Sequence, residues 1–324
     1  MKMIKLSIML SLIIPFGYGQ SIEKFSIDSG GASASAGGIQ ILYTIGEVAV
    51  QEVSTSTLSV SEGFINSSFK VKIDPIVYLQ GPILNADTGG LMNDDLRVAG
   101  LIPTSSPYVD NATCNASVFS VTGTDAIVDW VWIEVRASND NTKLLNGKSA
   151  LLQRDGDIVD VDGISTLTMN APPKDHYVVV KHRNHLGVMS ENPIALAEDI
   201  TTIVDFTDSG FDTFGTNAQS ILDSGDTALW AGDVNNNGQV RYLGPNNDTN
   251  SIKDAVLFDS GNTSSSNFYP YTAYDNADIN MNGQVRYLGP GNDTNILKDI
   301  ILLHPNNGTL SNFFPFFTTV PNLL

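Results

Sequence analysis

Cysteine is nearly absent. Cys114 is the single thiol in 324 residues, so no internal disulfide can staple the chain, and its fold must rest on a packed core or on bound metal. Basic residues are scarce too: 17 Lys and Arg stand against 35 Asp and Glu, for a net charge of −18 and a pI near 4.3. That balance excludes a nucleic-acid partner, because a phosphate-binding surface needs clustered cations. Beyond the first 20 residues no apolar run is long enough to span a bilayer. Nor is there a nucleophile elbow, a P-loop, an HExxH pair or a Gly-rich dinucleotide fingerprint, and a non-catalytic protein is expected. Apolar residues are not lacking, at 42%. The chain is long enough for two or three domains.

One motif is written twice near the end. Residues 233–254 read DVNNNGQVRYLGPNNDTNSIKD and residues 278–299 read DINMNGQVRYLGPGNDTNILKD, starting 45 residues apart. From Gly238 or Gly283 to Asp254 or Asp299 the copies agree at 14 of 17 positions. Oxygen-bearing side chains stand at positions 1, 3 and 5: Asp233, Asn235 and Asn237, then Asp278, Asn280 and Asn282. A Gly follows at position 6. Alternate oxygens with a Gly that permits a sharp turn are the start of an EF-hand-type calcium loop, and an Asn/Gly-rich turn without metal would need no such spacing. Position 7 (Gln239, Gln284) is expected to ligate through its carbonyl, and position 8 (Val240, Val285) to pair the two loops in a short ladder.

This stretch resembles the dockerin type I module, in which each duplicated half-loop is followed by a single helix. It departs from that pattern at position 12, where Gly244 or Gly289 replaces the closing acid. Asp248 and Asp293, four residues on, are taken as closing ligands of an enlarged loop, with Asn247 and Asn292 as alternatives. A helix is expected after each loop, capped by Asn250 or Asn295 and apolar on one face through Ile252/Val256 and Leu297/Ile301. Two carboxylates per site imply the weak, extracellular class of calcium affinity, on the order of 0.1–1 mM.

The rest divides as follows. Residues 1–20 form a secretory signal peptide, with Lys2 and Lys5 before an apolar stretch and a small-residue cleavage region. Residues 21–70 form a small β unit, from the alternation in Ile39–Tyr43 and Val48–Val50. Its phrases GGIQILYTIGE and SVSEGF resemble the N-terminal stretch of exported Bacteroidetes proteins. Residues 73–205 form the central domain. Its clearest strand is IVDWVWIEVR at 127–136, with Trp130, Trp132, Glu134 and Arg136 on one face and the charged end expected to reach water. Strand-length runs without a helical period indicate an antiparallel β-sandwich. The phrases VDWVWIEVR, ALLQRDGDIVDVDG and VVVKHRNHLGVMS resemble a haemagglutinin-like domain of exported Bacteroidetes proteins, which supplies no chemistry. Residues 206–224 read as a linker, 225–312 as the duplicated module and 313–324 as a tail.

Three clusters outside the loops invite chemistry. His182–His185 could hold metal, but in a strand an i, i+3 pair points to opposite faces, so hydrogen bonding to a loop is the expected role. Asp155, Asp157, Asp160 and Asp162 are explained by two DG turns, with calcium the better functional alternative. Trp130, Trp132, Tyr78 and Tyr177 are expected in the core, with a sugar-stacking platform as the alternative. Cys114 reads as a semi-buried thiol.

The sequence thus predicts a mainly β, secreted or cell-surface protein with two Ca2+ sites. It acts by docking to an unknown protein partner or by adhesion, for instance to a cell-surface glycan, with no membrane span once the signal is removed. The alternative is a carbohydrate-active protein, a glycan-binding module or hydrolase, with the calcium repeats as an appendage.

Overall fold

The structure is a computed structural model that describes residues 69–323 together with four earlier strands. The expected signal peptide and Val48–Val50 lie outside the described residues. The chain forms two compact units, residues 1–67 and 68–324. In the first, β1 (Gly30–Ala36) pairs antiparallel with β2 (Ile39–Ile45), and β3 (Gln51–Ser54) with β4 (Ser59–Glu62).

The second unit is mainly β. It opens with β5 (Val71–Ile76), β6 (Tyr78–Leu79), a single-turn α1 (Gln80–Ile83) and α2 (Asp95–Val98). Two long strands follow, β7 (Ile127–Ala137) and β8 (Asp140–Gln153), then β9 (Ile158–Val159), β10 (Leu167–Met169) and β11 (Asp175–Lys181). Short β12 (Val188–Met189), β13 (Ile194–Ala195) and β14 (Thr201–Asp205) complete this part. The largest sheet runs β12-β11-β7-β8-β9, antiparallel throughout, with β13 also on β11. A second sheet runs β10-β5-β14, and there β14 lies parallel to β5. The central pairing is therefore mixed rather than purely antiparallel. Val71 and Ile73 of β5, Val131 and Ile133 of β7 and Val178 of β11 are fully buried in one shared apolar core. Each such side chain contributes roughly 1.5–3 kcal/mol by leaving water.

β7 is buried along almost its whole length, which corrects one expectation. Glu134 and Arg136 do not reach water but are 1% and 0% exposed. They form a 2.6 Å ion pair, and Arg136 Nη1 donates to the carbonyl oxygens of Asn141 and Pro321. The C-terminal segment folds back and supplies the acceptor that lets this guanidinium stay buried. Residues 313–324 are thus no free tail: Phe316 and Val320 are buried.

Residues 206–224 are not a linker. Phe206 is fully buried, and β15 (Gln219–Ile221) pairs with β16 (Thr227–Leu229), which lies parallel to β6. This third sheet joins the central sheets to the repeats inside one unit.

Each repeat is a loop followed by a helix. The first runs β17 (Gln239–Val240), α3 (Asp248–Phe258) and β18 (Tyr271–Thr272); the second runs β19 (Gln284–Val285), α4 (Asp293–Leu303) and β20 (Phe316–Phe317). The expected ladder between Val240 and Val285 is not formed. β17 pairs instead with β20 and β19 with β18, so each loop takes as partner the segment that follows the other copy's helix. Pairing is crossed and the unit is closed on itself. The repeat is consequently longer than it reads: Asn262 and Asn307, 45 apart, make the same three bonds. Each donates to the helix-end carbonyl of Val256 or Ile301 and to the carbonyl of Ser266 or Ser311, and accepts from the N–H of that Ser.

Helix starts are also shifted. The N-caps are Asn247 and Asn292, whose side chains accept from the backbone N–H of Asn250 and Asn295 at 2.8 Å. The buried faces, Ile252 and Val256 against Leu297, Ile300 and Ile301, meet in a second core with Val240, Val285 and Phe316. No helix among the described residues is long and apolar enough to cross a membrane.

Candidate metal loops and the cleft beside them

In both copies the position-1 carboxylate sits inside its loop. Asp233 accepts from the backbone N–H of Asn237 and Gly238, both at 3.0 Å, and Asp278 from Asn282 and Gly283 at 3.1 and 2.7 Å. The chain can wrap this tightly because residues 4 and 6 are left-handed: φ is +57° and +75° at Asn236 and Gly238, and +58° and +82° at Met281 and Gly283. Gly takes that conformation without a Cβ clash, and Asn tolerates it. The Asn at position 5 closes a local turn, Asn237 and Asn282 accepting from the N–H of Gln239 and Gln284.

Asp248 and Asp293 open the helices and reach back to seal the loops. Asp248 accepts from the N–H of Val234 at 2.9 Å and of Arg241 at 2.8 Å, and Asp293 from Ile279 and Arg286, both at 2.8 Å. The sealing acid therefore stands near the position-1 acid. Burial pushes Asp233 up to about 6 and Asp248 up to about 7, the charge of Asp233 adding to the latter. Burial likewise raises Asp278 to about 7, against the pull of Arg183, and raises Asp293 well above the carboxylate range, with Asp278 adding. Each loop thus holds two buried carboxyls that disfavour one another's charge.

The remaining expected ligands are less enclosed. Asn235, Asn237 and Asn282 are exposed, and Asn280, Gln239 and Gln284 half-buried. Asn235 and Asn237 both turn their amide nitrogens to the carbonyl of Asn246, at 3.3 and 3.4 Å. Among the described residues no three His, Cys, Asp or Glu side chains gather as a metal cluster. Each loop offers two carboxylates, with amide and carbonyl oxygens around them. Such an all-oxygen set suits a hard cation such as calcium, and the mutually repelling acid pair is what a divalent charge would neutralise.

The two loops differ in their surroundings. Position 4 is exposed Asn236 in the first and Met281, 1% exposed, in the second. Met281 belongs to the core of the central sheets rather than to that of the repeats. Around it Asn184 donates to the carbonyls of Asn276 and Asp278 at 3.1 and 2.8 Å. A Cβ on Gly81 would stand 2.1 Å from the carbonyl oxygen of Ile279, so only Gly allows α1 this close to the second loop.

That contact explains the HRNH cluster. A turn after β11 brings His182 and His185 together, with ring centroids 4.8 Å apart. Burial holds His182 below the usual imidazole range; burial, His182 and Arg183 hold His185 well below it, so both rings are neutral. Neutrality fixes the tautomers. Gly81 N–H donates to His185 Nε2, leaving the proton of His185 on Nδ1, between His182 Nδ1 and Asn184 Oδ1; His182 Nε2–H then donates to Asp129. Asp129, fully buried, also accepts from Arg183 Nε at 2.9 Å and Tyr274 Oη at 2.6 Å. Burial alone would raise its pKa, but Arg183 and His182 outweigh it and hold the carboxyl at about 2. The cluster joins the central sheets to the second loop.

The other candidates are simpler. Asp155 and Asp162 accept backbone N–H bonds in turns, and Asp160 pairs with Lys148 at 2.6 Å. Trp130 is fully buried. Trp132 instead lines a cleft of about 680 Å³ bounded by the end of β11, the first loop and residues 317–322. No protein-family model matches the chain, and neither the curated proteins nor the solved structures give a match.

Proposed function

We propose that this is a secreted or cell-surface, non-catalytic protein whose C-terminal repeats are a dockerin-like calcium module carried on a β-sandwich. Its task is docking to a protein partner or adhesion. The observation that carries the reading is the duplicated acid pair, Asp233 with Asp248 and Asp278 with Asp293. Four carboxyls are buried by loops with oxygens at positions 1, 3 and 5 and Gly at 6, bonded to backbone N–H groups rather than to cationic side chains. Burial of paired acids is costly unless something neutralises them. Bound calcium would supply that charge, so metal binding, proton release and ordering of each loop become one equilibrium.

The two helices offer the partner surface. Lys253/Asp254 and Lys298/Asp299 recur on their outer faces. Charge reversal at both pairs is expected to abolish capture of a cognate partner and leave calcium binding unchanged.

The first test is calorimetric titration of the chain with calcium near neutral pH, repeated in buffers of different ionisation heat. Two sites with dissociation constants on the order of 0.1–1 mM are expected. Protons should be released on binding, and Asp248→Asn and Asp293→Asn should each remove one site. Absence of heat in every buffer would sink the proposal.

A further inference from the structure

We propose that the cleft beside Trp132 is a binding site for a neutral saccharide. Its volume, about 680 Å³, is that of a small-molecule site rather than of a packing defect. Its lining combines two kinds of surface. Tyr108 and Trp132 supply aromatic area, their ring centroids 5.8 Å apart, while Asn236, Asn237, Thr318 and Asn322 supply hydroxyl and amide groups.

Trp132 is placed there by the sheet. A Cβ on Gly147, the residue opposite Glu134 on β8, would come within 2.4 Å of the indole, so the glycine leaves the space that the ring fills. The indole N–H is held by Glu134 Oε1 at 3.0 Å. The ring is therefore fixed before any ligand arrives, and its ordering costs nothing on binding.

Charge narrows the ligand class. Lys181 is the only Lys or Arg in the lining, and its ammonium is occupied by Glu134 at 2.6 Å. Asp233, the only acid there, has its oxygens bonded to the loop's N–H groups. An anionic ligand finds no free counter-charge and meets a chain of net charge −18. A purely apolar one would strip water from amides and hydroxyls without replacing their bonds. A pyranose answers both surfaces: its axial C–H face stacks on an indole, and its hydroxyls both donate and accept. The aromatic wall belongs to the central sheets, so this site goes beyond the calcium reading, although Asp233 and Asn237 of the first loop stand in the lining of both.

The test is an array of short gluco-, manno-, galacto- and xylo-oligosaccharides probed with the full chain, with calorimetry on the strongest binder. At least one neutral series should bind. Trp132→Ala should weaken it about tenfold or more, and Asn322→Ala, at an exposed position of the lining, about twofold to tenfold for one lost hydrogen bond. Saturation-transfer NMR should place the sugar's C–H protons against aromatic resonances lost in Trp132→Phe. The proposal is overturned if no neutral series binds, if an acidic saccharide binds better than its neutral counterpart, or if both Trp132→Ala and Asn322→Ala keep wild-type affinity.

Discussion

Met281→Asn is the substitution that most directly probes how the repeats are held on the central sheets. It gives the second loop the residue that its twin carries at position 4, so the local chemistry of the loop stays legal. What changes is the core: Met281 is 1% exposed and packs with the central cluster. Removing a buried Met side chain costs about 2–5 kcal/mol, and an amide buried without partners adds roughly 1–3 kcal/mol. Asn returns about 1 kcal/mol because it bears a φ of +58° better than Met does. If the loop lifts off, water rescues the amide but the contacts of Asn184 and Gly81 go with it, so the expected net loss is about 2–5 kcal/mol. Urea unfolding reads that loss, and amide exchange in residues 276–283 reads the lifting. The reverse change, Asn236→Met on the exposed loop, should cost only about 1 kcal/mol, since φ there is +57° and no core contact is lost. A loss below about 1 kcal/mol for Met281→Asn would refute the claim that this side chain anchors the module.

Two further predictions concern buried polar groups. Asp129→Ala leaves the Arg183 guanidinium buried without its counter-charge and should cost about 3–5 kcal/mol in denaturant unfolding. Since the folded pKa of Asp129, about 2, lies below its unfolded value, its contribution of roughly 2 kcal/mol is complete above pH 4 and is lost as pH falls through 2. The depressed His182 and His185 act in the same direction, losing their share as pH falls below their unfolded value. A wild-type acid profile that Asp129→Asn fails to flatten would contradict this. Asn307→Ala removes three hydrogen bonds that fasten the end of α4 to the strand-forming segment after it, and should cost about 1–3 kcal/mol. Asn262→Ala should cost about the same, and unequal losses on thermal unfolding would argue against equivalence of the two copies.

Much of the module could be read locally. The 1-3-5-6 loop pattern predicts a left-handed Gly at 238 and 283, and the periodicity of Ile252/Val256 and Leu297/Ile301 predicts the helices. Both depend on interactions within a few residues, where side-chain type and backbone sterics decide the outcome. Even the capping step was within reach, since Asn247 and Asn292 stand three residues before Asn250 and Asn295, directly ahead of the first helical residues Asp248 and Asp293. The repeat's true length also stood in the sequence, in Asn262 and Asn307, but its meaning lay in bonds to helix-end carbonyls that a linear reading does not display.

By itself, then, the sequence determined a mainly β chain ending in two oxygen-rich loops, each followed by a helix. Tertiary structure alone decided three things. Val240 and Val285 pair with Phe316 and Tyr271 rather than with each other, because the strands that reach them come from after the opposite helix. Glu134 and Arg136 are buried because a segment some 185 residues away supplies the carbonyl of Pro321. The two acid-bearing loops, nearly identical in wording, face different surroundings because Met281 finds an apolar core while Asn236 meets water. In each case the deciding partner is remote in sequence, and only the closed fold brings it within bonding or packing distance.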